Sequence, residues 1–141
     1  MKRLHFIYIL FIASLVSCTH TPEEKLTYLE GYWEIAEVAS SNGGKKTFSM
    51  SQNIDFFDIQ DQKRGIRKKV QPDLGGNFTT SKSSENIDIE INDDTIVLTY
   101  TTAFDSWKET VIEASKDQLI LLNENGTTYT YRRYEPILLP E

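Results

Sequence analysis

Cysteine is almost absent from this chain. Cys18 is its single example, so an internal disulfide is excluded. Histidine is nearly as scarce: His5 and His20 both precede Thr21, and everything beyond lacks imidazole and thiol alike. That absence excludes Ser–His and Cys–His nucleophilic arrangements there, together with zinc sites built on nitrogen or sulfur. Basic residues are in the minority, 15 against 21 acidic, for a formal charge of −6. Neutralising phosphates needs clustered Lys and Arg, so nucleic acid is not an expected partner. No apolar run reaches the roughly 20 residues that a membrane-spanning helix requires. At 141 residues, the chain has room for one domain with a modest core.

What is present at the amino end has the form of an export signal. Lys2 and Arg3 give a positive start, Leu4 to Val16 is apolar apart from His5 and Ser14, and small Ser17 precedes Cys18. Leu15-Val16-Ser17-Cys18 resembles the lipobox of bacterial lipoproteins. The resemblance implies a Cys18 thiol alkylated by diacylglycerol, cleavage before it, and acylation of the freed amine. An ordinary signal peptide cut near Ser17 is the alternative. Each buried acyl CH₂ is worth about 0.8 kcal/mol and stable anchoring takes two hydrophobic signals, which a di- or triacylated Cys18 supplies. Losing Lys2 and Arg3 with the leader leaves thirteen basic against twenty-one acidic residues, a net charge of −8.

The residue after Cys18 is Thr19 rather than Asp, which by the same resemblance implies an outer-membrane address. Cys18 to Lys25 reads as a polar tether. Its Glu23-Glu24 resembles an acidic sorting signal for the outer surface, or is simply a solvated linker. The expected organisation is a leader over 1–17, the lipidated cysteine and tether over 18–25, and an all-β domain over 26–141.

From Tyr32 onward apolar residues recur mostly with period two and are β-branched or aromatic, the pattern of an antiparallel sheet with one wet face. Ile87, Ile89 and Ile91 face one way with Asp88 and Glu90 opposite; Asn92-Asp93-Asp94 supplies a tight turn; Ile96, Leu98 and Tyr100 return. Further strands are expected over Trp33–Val38, Ile54–Ile59, Ile66–Val70, Phe78–Thr80, Trp107–Ala114, Leu119–Leu122 and Thr127–Tyr134, with a turn over Ser81–Ser84. About nine short strands joined by short loops predict an up-and-down meander closing into a small barrel. Leu26 to Glu30 is expected to add one helical turn at the barrel's end.

Leu29-Glu30-Gly31-Tyr32-Trp33 carries the Gly-x-Trp pattern of the lipocalin or calycin group, and the last strand ends on arginine in Tyr129-Thr130-Tyr131-Arg132-Arg133-Tyr134. Over Leu26 to Glu135 the chain resembles small bacterial lipocalin-like lipoproteins. The resemblance implies a barrel floor where an arginine stacks on the tryptophan, a cation–π contact of about 0.5–2 kcal/mol. Parity puts Arg133 on the face of Tyr129 and Tyr131, making Trp33 and Arg133 the expected pair.

For chemistry, carboxylates remain. Asp55 with Asp58, or Glu109 with Glu113, are conceivable acid pairs for glycoside hydrolysis, although pairs of this kind arise freely in an acidic chain. Asn92-Asp93-Asp94 has too few ligands for a Ca²⁺ loop, so no metal or cofactor is expected. Asp94-Thr95-Ile96 resembles a short bacterial O-glycosylation motif. Lys63, Arg64, Arg67, Lys68 and Lys69 form a basic hairpin that would grip an anion or acidic partner, or stand solvated against edge pairing. The leading expectation is a non-enzymatic binding protein whose interior, lined by Phe56, Ile89, Leu98, Tyr100, Trp107, Tyr129 and Tyr131, holds a small apolar or amphiphilic ligand. The alternative is a filled barrel acting as a structural or interaction module with an envelope protein partner.

Overall fold

The computed structural model describes residues 19–136. The expected leader, Cys18 as the expected lipidation site, and residues 137–141 lie outside them. The alternating segments become nine antiparallel strands: β1 Gly31–Ala39, β2 Lys45–Thr47, β3 Ile54–Ile59, β4 Arg64–Pro72, β5 Phe78–Asn92, β6 Thr95–Thr101, β7 Ser106–Ala114, β8 Gln118–Asn123 and β9 Thr128–Arg133. Each pairs with its sequence neighbour from β3 to β9. β1 pairs with both β3 (Gly31↔Phe57) and β9 (Trp33↔Arg133), which closes eight strands into a barrel. β2 is an extra strand against the far half of β1 (Glu37↔Thr47). Closure removes the free edges of these eight strands, and the bulges at β1, β5 and β7 supply the bending it needs.

The β5–β6 hairpin shows how local chemistry sets register. Asn92 pairs with Thr95, leaving a two-residue turn in which Asp93 takes φ 54°. Asp tolerates that left-handed conformation. Ile87, Ile89, Ile96 and Leu98 consequently all point inward, none more than 5% exposed. Together with Leu119 and Leu121 they fill the lower barrel.

Three expectations need correction. The strands predicted over Phe78–Thr80 and Ile87–Ile91 are one, the 15-residue β5. Ser81–Ser84 is polar because it is exposed, not because it turns; Lys68 faces Ser84 and Val70 faces Thr80, so the chain stays extended through a bulge. β2, Lys-Lys-Thr, is wholly exposed and therefore shows no apolar period. The helix, α1 Pro22–Leu29, is longer than the single turn expected and starts inside the predicted tether. Thr21 Oγ1 accepts from Glu24 N (3.3 Å) and Glu24 Oε2 accepts from Thr21 N (3.0 Å), a capping box with Pro22 in the first turn. Pro22 to Lys25 are thus helical, and Glu23 and Glu24 sit where the helix dipole favours acids.

Candidate functional site

The two ends of the barrel are built differently. At the floor, α1 brings Leu26 and Leu29 across the opening, and Trp33 lies beneath them with no exposed surface. Trp33 Nε1 donates to Leu29 O at 2.8 Å. Arg133 lies over the Trp33 ring, its Cζ 3.7 Å from the centroid. The same guanidinium donates to Tyr28 O (2.8 Å), Glu30 O (2.9 Å) and Lys116 O (3.0 Å). A helix C-terminus leaves carbonyls without intrahelical partners, and Arg133 satisfies two of them while tying the helix to the β7–β8 turn. Gly31 makes this approach possible: its φ is +112°, and a Cβ there would stand 2.9 Å from Arg133 Nη1. Arg132 turns outward, to Glu34 Oε2 (2.8 Å) and the carbonyls of Phe48 (3.1 Å) and Ser49 (2.8 Å).

At the mouth the inward positions carry charge. Arg67 on β4, 7% exposed, pairs with Glu85 on β5 and lies 4.3 Å over the Tyr100 ring, which itself stacks on Trp107 at 5.3 Å. Lys69 pairs with buried Asp55 on β3. Glu109 on β7, 4% exposed, has its Oε2 3.6 Å from Arg67 Nη1, an ion-pair distance too long for a hydrogen bond. Among the described residues, Glu109 Oε2 and Tyr100 Oη are buried side-chain oxygens without a hydrogen-bond partner. Burial pushes the Glu109 carboxyl above the ordinary glutamate range, with Arg67 pulling the other way. Burial works against the Arg67 charge too, but Tyr100, Glu85 and Asp55 outweigh it and hold its pKa high. Tyr131 is pushed well up by burial and then by the Asp55 carboxylate.

Two recesses flank the Arg67–Lys69 row. One, of about 340 Å³, is lined by Trp107, Glu109, Asn123, Tyr129 and Tyr131. The other, of about 590 Å³, runs along Ser81–Glu85 to the β6–β7 turn, whose Phe104 is 99% exposed. A larger cleft of about 870 Å³ lies on the outer wall between Gln71–Gly75 and Ser49–Gln52. There the half-buried Glu34 already accepts from Ser51 N (2.7 Å) and Arg132 Nε (2.8 Å). The mouth, not the outer cleft, holds the buried charges with bonding capacity left over.

Of the seven residues proposed to line the interior, Trp107, Tyr129 and Tyr131 reach the mouth recess. Ile89, Leu98 and Tyr100 are packed below it, at most 5% exposed. Phe56 is a correction: it stands on the outer wall against Tyr32, ring centroids 4.6 Å apart, and Phe57 takes the inward place. The outer position is apolar because the end of the β4–β5 hairpin folds back over it, stacking Phe78 on Tyr32 at 4.5 Å.

The basic stretch is also corrected, since its cations do not form one patch. Arg64 bonds Asp61 in the β3–β4 turn, while alternation turns Arg67 and Lys69 to acids of the barrel and leaves Lys68 on the other face. The acid pairs divide likewise. Asp55 points in and Asp58 out, and the β7 bulge after Val111 puts Glu113 on the opposite face from Glu109. What the sequence reading missed is Glu85, and that Asp55, Arg67 and Glu109, named there in separate roles, face inward with it. The available signal was a charged residue at the parity of Phe57, Trp107 and Val111.

The barrel is lipocalin-like in its eight-stranded meander, sealed floor and open mouth. No protein-family model and no curated protein matches the sequence. Among solved structures, the fold is similar to that of a lipocalin-like protein from Bacteroides uniformis, at 14% identity over 76% of this chain and 99% of that one, with a TM-score of 0.49. It is also similar to that of an uncharacterized protein from Bacteroides eggerthii, at 16% identity over 74% and 98%, with a TM-score of 0.47.

Proposed function

We propose that the chain is a non-enzymatic binding protein of the cell envelope, tethered to the outer membrane through acylated Cys18, whose barrel mouth holds one small amphiphilic molecule. The observation that carries the reading is Glu109: a carboxylate oxygen buried at an aromatic-walled recess and lacking a hydrogen-bond partner. Leaving such a group unmade costs about 1–3 kcal/mol, more for a charge, and a bound donor would recover that cost. The recess is of the order that small-molecule sites occupy, at their lower bound. A wholly apolar ligand fits poorly, because the apolar lower barrel is filled with its own side chains and only the charged end is open. Asp55 pairs with Lys69 and Glu109 with Arg67, an arrangement suited to holding charge rather than to relaying a proton.

The filled lower barrel and fully exposed Phe104 favour a second reading, a module that docks an envelope protein. Native mass spectrometry of the full chain, purified in detergent from its host, separates the two. A co-purifying small molecule is expected; a clean apo mass, with no thermal shift across a panel of small amphiphiles, would sink the ligand reading. For the anchor, Cys18→Ser is expected to abolish acyl labelling and leave precursor unprocessed, and undiminished labelling would refute it.

A further inference from the structure

The mouth contains more acid than base. Asp55 is matched by Lys69 and Glu85 by Arg67, which leaves Glu109 as the third carboxylate against two cations. Its carboxylate is among the groups lining a recess with Trp107 and Tyr129, whose rings present negative faces, and its Oε2 is buried there without a hydrogen-bond partner. A neutral hydroxyl would satisfy the hydrogen bond and leave the excess charge in place. A carboxylate or phosphate would add to it. A primary ammonium supplies an N–H donor, the missing positive charge and a cation for the rings at once.

Resting on the reading of the mouth as a ligand site, we infer that its ligand is a small primary amine, bound as the ammonium with N–H donated to the Glu109 carboxylate and its apolar part against Trp107 and Tyr129. Arg67 only partly fills these roles: Glu85 holds its guanidinium over Tyr100, 5.9 Å from the Trp107 centroid, and it reaches Glu109 Oε2 at 3.6 Å without a hydrogen bond. The ammonium therefore completes a network that the protein builds one charge short.

Isothermal titration of the full chain in a non-ionic detergent with benzylamine, benzyl alcohol and benzoate at pH 7 tests the assignment. These probes share a ring and differ in the polar group. Benzylamine is expected to bind roughly 10-fold or more tightly than benzyl alcohol, with benzoate weakest. Glu109→Gln is expected to weaken benzylamine roughly 10- to 100-fold and to shift benzyl alcohol by less than about 3-fold. The comparison of probes on the unaltered chain stands even if the variant does not fold. Equal affinity for amine and alcohol, or preference for benzoate, overturns the ammonium assignment while leaving a ligand mouth in place. A chain that binds no probe and carries no molecule in native mass spectrometry overturns both.

Discussion

The floor and the mouth of this barrel use the same kinds of residue to opposite ends. Each has a tryptophan, an arginine and neighbouring polar groups. At the floor, Arg133 finds three carbonyls and a ring face, Trp33 Nε1 finds Leu29 O, and among the described residues no buried side-chain polar atom there lacks a partner. At the mouth, Arg67 faces two carboxylates, bonds one, and leaves Glu109 Oε2 incomplete beside a half-buried Trp107. The difference separates the two ends: completed bonding closes one, and incomplete bonding in a recess marks the one proposed as the binding site.

Mutations break the comparison in order of size. Trp33→Ala opens the floor and is expected to cost about 4 kcal/mol in chemical denaturation, since a large buried aromatic leaves a cavity that its surroundings fill poorly. Arg67→Met strands Glu85 and Glu109 without their cation and is expected to cost about 3 kcal/mol. A neutral or stabilising result there would show that the mouth network is not held by that charge. Gly31→Ala, measured the same way, is expected to cost about 2 kcal/mol, because the left-handed backbone resists a Cβ and Arg133 must move from its stack.

Glu109→Gln sharpens the comparison instead of breaking it. Its expected effect on stability at neutral pH is below about 1 kcal/mol, because the charge it removes is the one the fold pairs least well. Its effect on pH dependence has a definite sign. A carboxyl raised by burial binds its proton more tightly folded than unfolded, so its contribution is complete below the ordinary glutamate value. That contribution is lost as pH rises towards the folded value, so unfolding free energy falls across that window. Denaturation of the wild type and the Gln variant at a series of pH values should show this component of the slope vanishing in the variant. An unchanged slope would mean that Glu109 is not the raised group.

Much of the fold was legible because burial and alternation coincide. Ile87 to Tyr100 announces a hairpin in which every inward residue is apolar, and Tyr129, Tyr131 and Arg133 share a face by parity alone. Legibility stops where the two signals part. Phe56 and Phe57 are equally apolar neighbours, and only the folding back of Phe78 onto Tyr32 decides which faces out. Ser81–Ser84 looks like a turn because a polar exposed strand and a loop have the same composition. Thr21-Pro22-Glu23-Glu24 is a capping box that reads equally well as an acidic tether. The site was the least legible part, because charges are expected to face water. Arg67 is buried beside Glu85, its partner on the neighbouring strand 18 positions further along, and Glu109, which reaches it from β7, 42 positions further along.

The chain has two tryptophans, one at each end, and their indole N–H protons report on the two ends separately. Hydrogen exchange followed by NMR on the full chain in detergent tests the contrast most directly. The Trp33 proton, bonded to Leu29 O in the sealed floor, should exchange as slowly as amides of the central strands, and the Trp107 proton many times faster. Comparable rates at both ends, or faster exchange at Trp33, would contradict a barrel closed at one end and open for binding at the other.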